Sequence, residues 1–359
     1  MAGAAESVCA ATREGMMAIA ARIAGACLAF GAACAGASAQ TGDPVSFAGK
    51  QIQFLIGTGA GDTYDSYARL LGKYLTKHLP GSPVVVPSNR AGAGSLVAVN
   101  ATYNSQVRDG SMLVMGQRFV PLMPLLGLPG AQFDPTKMAY IGSVSSETSV
   151  CVAHERSGVA TVVDAKKSPL IVGTMGAGTE LTNFTATIHR MLGIEFQVVR
   201  GYGSSGEIDL AIDRGELQGR CGVSYSSLMR TRGDWVKSGK VKIFLQIDVE
   251  RSRDMPNTPA LGELVNEVDR AALRLLTAPG VIARPVFGPP DMPPERVAAL
   301  RKAFDDAMVD KEFLEEARRQ QLEVAPMGGA AMERLIRDLY ASDPKVIARA
   351  RELANSTTQ

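Results

Sequence analysis

Four glycine-rich segments are placed where they could do chemistry: Gly57-Thr58-Gly59-Ala60-Gly61, Ala91-Gly92-Ala93-Gly94-Ser95, Gly173-Thr174-Met175-Gly176-Ala177-Gly178-Thr179 and Gly201-Tyr202-Gly203-Ser204-Ser205-Gly206. Three follow a short apolar run, and the other opens a helical pattern. Glycine lets backbone N–H groups approach a ligand closely. The helix N-terminus behind such a turn carries partial positive charge, so these turns suit a carboxylate or a phosphate. Neighbouring Ser and Thr hydroxyls add donors. One such turn alone is an ordinary strand-to-helix reversal, whereas four, divided between two halves of the chain, point to a shared anion site at the carboxyl ends of strands.

Nucleotide chemistry fits these residues poorly. Asp62 occupies the place where a dinucleotide motif beginning at Gly57 wants its third glycine, and the second apolar run ends in Pro87-Ser88 with no acid for a ribose. No Gly-Lys-Ser/Thr follows any of the turns. His78, His154 and His189 stand apart without a second ligand at metal spacing, so neither a metal nor another cofactor is expected. There is no Gly-x-Ser-x-Gly elbow. Cys151 and His154 lie three apart along an expected strand and therefore on opposite faces. The residues suggest binding without turnover. The rival reading is an exported or cytosolic α/β enzyme acting on a nucleotide or acyl substrate.

Charged candidates can be placed against the turns. Asp65 falls in the first turn of a helix, where it could cap or meet a ligand, and Arg69 is its i+4 partner. Arg90 and Arg200 adjoin glycine-rich turns and could clamp a carboxylate or simply be solvated. Arg118 and Phe119, just after the third apolar run, are expected on a cleft wall.

Strand and helix signals alternate to hold these turns. Ile52 to Ile56 and Val84 to Val86 read as buried strands and Met112 to Met115 as a third, with helices over Tyr64 to Leu79 and Ser95 to Tyr103, giving a largely parallel sheet. The pattern restarts at Val150 to Ala153, continues through Leu170 to Gly173, Glu180 to Leu192, Phe196 to Val199, Ile208 to Arg214 and Gly219 to Val223, then returns to strand character at Leu273 to Ala278 and Val281 to Phe287. Helices at Glu295 to Met308, Glu312 to Gln321, Met332 to Tyr340 and Pro344 to Ala354 close the chain. Such a restart and return predict two α/β lobes, the first from residues 40–146 plus 275–359 and the second from 147–274, with the chain crossing near Gly142 to Thr148 and Ala272 to Pro279.

The 359 residues are 46% hydrophobic and 21% charged with a formal charge of +2, a globular balance without the basic stripe that nucleic acid or a membrane surface would need. Arg22, the small and apolar run from Ile23 to Ala35, and Ala37-Ser38-Ala39 predict an export leader cleaved before Gln40, hence a periplasmic location. Its loss removes Cys9, Cys27 and Cys34 and leaves Cys151 and Cys221, either two small buried hydrophobes or a disulfide between neighbouring strands.

Taken in order, Thr63 to Leu71, Asn89 to Ser95, Asp109-Gly110-Ser111-Met112-Leu113, Gly173 to Thr179, Gly201-Tyr202-Gly203 and Gly239 through Pro259 resemble the Bug (TctC-like) solute-binding proteins of tripartite tricarboxylate transporters. The resemblance implies a type II periplasmic-binding-protein fold, two α/β lobes joined by a two-strand hinge and closing on a small organic anion, a carboxylate by family habit. It implies a monomer that binds no nucleic acid and hands its ligand to transporter membrane subunits, though a sensor would fit as partner. Carried over, ligand contacts come from Thr58, Gly59, Ala60, Gly61 and Asp65, from Met175, Gly176, Ala177, Gly178 and Thr179, and from Tyr202, Gly203, Ser204 and Ser205. The family's proline-rich first turn is here Gly57 to Asp62, and the added acid at Asp62 bears on which ligand is taken.

Overall fold

Exposed Gln51 and Gln53 alternate with buried Ile52 and Phe54, and the chain then stays buried to Ile56, which makes Gln51–Ile56 an interior strand, β1. Asp62 caps the following helix α1, Thr63–His78, by accepting from the Tyr64 N–H. Tyr67, Leu70, Leu71, Tyr74 and Leu75 recur at helical spacing and bury one face of α1. The computed structural model describes residues 45–175 and 179–354. The expected leader, the cleavage site before Gln40, and Cys9, Cys27 and Cys34 lie outside them.

The first sheet is completed by β2 (Val84–Asn89), β3 (Met112–Met115), β4 (Ala139–Ser143), β10 (Pro285–Gly288) and β11 (Met327–Gly328), in the order β11-β4-β10-β3-β1-β2. The second joins β5 (Ser149–His154), β6 (Leu170–Thr174), β7 (Phe196–Arg200), β8 (Gly219–Ser224) and β9 (Val241–Ile247), in the order β7-β6-β8-β5-β9. Each sheet carries its own apolar cluster, and a third cluster, from Leu55 to Ala354, spans both. The fold is two α/β lobes.

Three features differ from the sequence expectation. Both sheets are mixed: β1 runs parallel to β2 and β3, but β10 is antiparallel to β3 and β4, and β5 is antiparallel to β8 and β9. Val84 to Val86 belong to an edge strand, with Val84 63% exposed. Leu273 to Thr277 are helical, the end of α7 (Glu267–Thr277), because Ala272, Leu273, Leu275 and Leu276 share a buried face behind the Asn266 cap, which accepts from the Asp269 N–H. Residues 278–282 then form a 3-10 turn, so the return strand is only Pro285–Gly288.

The two crossings lie side by side. The Val144 N–H donates to Arg284 O at 3.3 Å, Ala283 N–H to Ser145 O at 2.9 Å and Glu147 N–H to Gly280 O at 2.8 Å. Cys151 on β5 faces Cys221 on β8 in register, and the two are joined in a disulfide. Helices α2 (Leu96–Tyr103), α3 (Val162–Ala165), α4 (Glu180–Leu192), α5 (Ser205–Arg214), α6 (Tyr225–Lys237), α8 (Pro294–Val309), α9 (Lys311–Arg319), α10 (Gly329–Tyr340) and α11 (Pro344–Ala354) cover the sheets. The C-terminal α11 reaches across: Arg349 Nε meets Asp269 of α7 at 2.6 Å, Arg190 of α4 donates to Leu353 O at 3.1 Å, and Arg351 Nε donates to Leu125 O at 2.7 Å. No helix among the described residues is long and apolar enough to cross a membrane.

Candidate functional site

The first turn is held from three sides. Gly57 N–H donates to Met115 O at 3.0 Å, Ser95 Oγ donates to Gly57 O at 3.0 Å, and Asn89 Nδ2 donates to Thr58 O at 3.0 Å. A Cβ on Gly57 would lie 2.4 Å from Ser95 Cβ and Oγ, so only glycine fits there. Asp65, 5% exposed, uses both carboxylate oxygens on the turn, accepting from Gly61 N–H at 2.9 Å, Arg69 Nε at 2.8 Å and Asn89 Nδ2 at 2.9 Å. Burial pushes its carboxyl pKa up, but Arg69, the Gly61 N–H and Asn89 outweigh burial and hold it below the usual value. Asp65 therefore shapes the turn. The exposed Gly59 and Ala60 keep N–H groups without a partner among the described residues, at the positive end of α1.

The second lobe repeats the arrangement with different bonds. Met175 is half-buried past the end of β6, and buried Thr179 stands at the N-cap of α4 with its hydroxyl 3.2 Å from that of Thr182. Gly176, Ala177 and Gly178 lie outside the described residues. Half-buried Tyr202 donates its N–H to Thr174 O at 3.4 Å. Exposed Gly203 donates to Glu207 Oε2 at 2.8 Å, and Ser204 caps α5 by accepting from the Glu207 N–H, with Ser205 opening that helix. Thr58 and Thr174, near the carboxyl ends of β1 and β6, both bury a hydroxyl oxygen that finds no hydrogen-bond partner among the described residues.

Arg118 and Phe119 follow β3 as expected but turn inward. Arg118 is 2% exposed and donates from Nε to Glu180 Oε1 at 2.7 Å and from Nη2 to Ser149 Oγ at 2.6 Å. Burial opposes its charge, yet Glu180 and the Tyr64 ring oxygen outweigh it and keep the guanidinium firmly protonated. Phe119 packs edge-on against Phe184 of α4, ring centres 6.1 Å apart. Both residues tie the lobes together instead of lining an open wall. Arg90 and Arg200 are exposed.

Sequence reasoning missed the polar cluster at the crossings. Glu147, its side chain 1% exposed, accepts from Arg284 Nη2 at 3.0 Å, from Ser226 Oγ at 2.6 Å and from Ser224 Oγ. Arg284 also lies 4.4 Å over the Tyr64 ring and 5.0 Å over the Tyr67 ring. From α6, Arg230 Nη2 donates to Thr63 Oγ1 at 2.6 Å, and Ser227 Oγ lies 3.4 Å from the same atom. The polar run Ser224-Tyr225-Ser226-Ser227 after β8 was a legible signal, since it too ends a strand toward the cleft; Glu147 and Arg284 had no local one. The crossings border a cavity of about 580 Å³ lined by Glu147, Thr148, Tyr225, Ser226, Asp248 and Glu323 among others. Burial raises the carboxyl pKa values of Asp248 and Glu323 there. None of the turn residues described above lines this cavity.

Comparison with known proteins sets this geometry in context. A profile of the "Tripartite tricarboxylate transporter family receptor" matches residues 67–352. A UPF0065 protein of Bordetella bronchiseptica is 23% identical over 238 residues, covering 64% of this chain and 68% of that one. Among solved structures, the periplasmic binding protein BugD superposes with a TM-score of 0.64 at 16% identity, covering 85% of this chain and 99% of its own. MatC from Rhodopseudomonas palustris, with bound malate, gives 0.64 at 17% identity over the same shares of the two chains. At these identities the solved structures establish the fold.

Proposed function

From the premise that this chain belongs to the tripartite tricarboxylate transporter receptor family, we propose that it captures a small organic anion, a carboxylate, between its two lobes outside the cytoplasm and delivers it to the membrane subunits of such a transporter. The observation that carries the reading is a pair of polar features, one at the carboxyl end of a strand in each sheet. The Gly59 and Ala60 N–H groups lie ahead of α1, and the Thr179 N-cap lies ahead of α4. MatC, a relative in fold, holds malate, which supports the carboxylate class. Residues 40–146 with 275–359 act as one lobe and 147–274 as the other, with α11 strapping the two. The ligand favours closure because only then do both lobes touch it.

Thermal unfolding of refolded, ligand-free protein against di- and tricarboxylates, aromatic acids, amino acids and nucleotides tests this. A ligand at a hundred times its Kd adds roughly 2.7 kcal/mol, a shift of a few degrees. A carboxylate response that is lost in Thr179→Ala is expected. A response to nucleotides alone would replace this reading with the enzyme reading.

A further inference from the structure

Three arginines lie around the start of α1, Arg118 and Arg284 beside Tyr64 and Arg230 beside Thr63, and two of them already hold a carboxylate. Arg118 pairs with Glu180 and Arg284 with Glu147. Arg230 pairs with none among the described residues. Its Nη2 crosses to Thr63 Oγ1, the first residue of α1, and its Nε is buried without a partner. The backbone breaks from helical geometry at Arg232 (φ −143°, ψ 29°), which separates the first two turns of α6 from the remainder and sets their direction independently. Among the nearby acids, Glu147 is held by Arg284 and two serines, Asp209 by Arg220 and Arg232, Asp65 by its own turn and Asp62 by the Tyr64 N–H, and none of these four pairs with Arg230. A guanidinium half-buried at a lobe contact, with an unfilled donor and no counter-ion, suits an incoming carboxylate.

We infer that Arg230 is the specificity-determining cation of the cleft: it receives one carboxylate of the ligand, while the N–H groups ahead of α1 receive a second, so dianions are selected over monoanions. This rests on the ligand site lying at the α1 turn, as proposed above. A charge-assisted, two-point contact of this kind corresponds to roughly a 10- to 100-fold change in affinity.

Calorimetric titration of succinate, glutarate and adipate, each with its monoamide, into wild type, Arg230→Ala, Arg230→Gln and Arg230→Lys tests the inference. Wild type should prefer a diacid over its monoamide by roughly 10- to 100-fold. In Arg230→Ala and Arg230→Gln that ratio should fall to near one, and Arg230→Lys should restore part of it. Arg230→Gln covers the case in which alanine at this contact impairs folding. If both ligands weaken equally and the ratio persists, Arg230 is a latch between lobes and the inference is overturned while the binding reading stands. If no acid binds wild type, the binding reading itself fails and takes the inference with it.

Discussion

Glu147→Gln removes one negative charge from the crossings at nearly constant volume, and its cost can be worked from the contacts. Arg284 is 2% exposed, so it would be left as a buried cation without its carboxylate, a loss that by itself runs to about 3–5 kcal/mol. Two features reduce it. The Gln carbonyl can still accept one hydrogen bond, and the Tyr64 and Tyr67 rings remain under the guanidinium, each effect being of order 1 kcal/mol. The expected destabilisation is therefore about 1–3 kcal/mol, which equilibrium urea unfolding should read as a midpoint lowered by roughly 0.3–1 M if m is about 3 kcal/mol/M. Arg284→Met should be destabilising too. The double variant Glu147→Gln/Arg284→Met should lose less than the sum of the singles, because no unpaired charge is then buried. A single-variant loss below about 0.5 kcal/mol, or strictly additive losses, would refute the reasoning that this pair is a desolvated unit.

Other perturbations have equally defined outcomes. Replacing both cysteines (Cys151→Ala/Cys221→Ala), which lie 70 residues apart in sequence, should lower equilibrium stability by about 4 kcal/mol on chain-entropy grounds, read by denaturant unfolding of the oxidised wild type beside the variant. Gly57→Ala should destabilise by about 1–3 kcal/mol through its contact with Ser95, and Ser95→Gly should recover part of that loss, since Ser95 already holds a positive φ of 78°. Burial works against the Asp109 charge, but Lys50 and Ser111 prevail and bring its carboxyl pKa down to about 2. A pKa lower in the folded than in the unfolded chain means that this stability is present above about pH 4 and is lost as the pH falls toward 2. Melting curves from pH 5 to pH 2 should accordingly show a shallower acid loss in Asp109→Asn than in wild type.

Much of this architecture is legible where one local pattern decides an element. The switch from alternation in Gln51–Ile56 to helical spacing in Thr63–His78 gives β1, its turn and α1, and the expected helix from Glu180 to Leu192 is observed with those bounds. Leu273 to Ala278 misled because Leu-Arg-Leu-Leu alternates over a few residues, and only the Asn266 cap upstream marks it as helix. The site divides in the same way. Glycine turns and caps are local and could be read. The inward turn of Arg118 depends on Glu180, 62 residues away, and the burial of Arg284 depends on Glu147, 137 residues away. Cys151 and Cys221 could be bonded or merely buried until strand register brought them opposite each other.

The most direct test of anion capture between the lobes is hydrogen–deuterium exchange of refolded protein, with and without the acid that stabilises it most. Protection appearing together at residues 57–65 and 175–182 is the expected result. An acid panel that stabilises nothing, or protection confined to the cavity around Glu147, Asp248 and Glu323 with both turns unchanged, would contradict it.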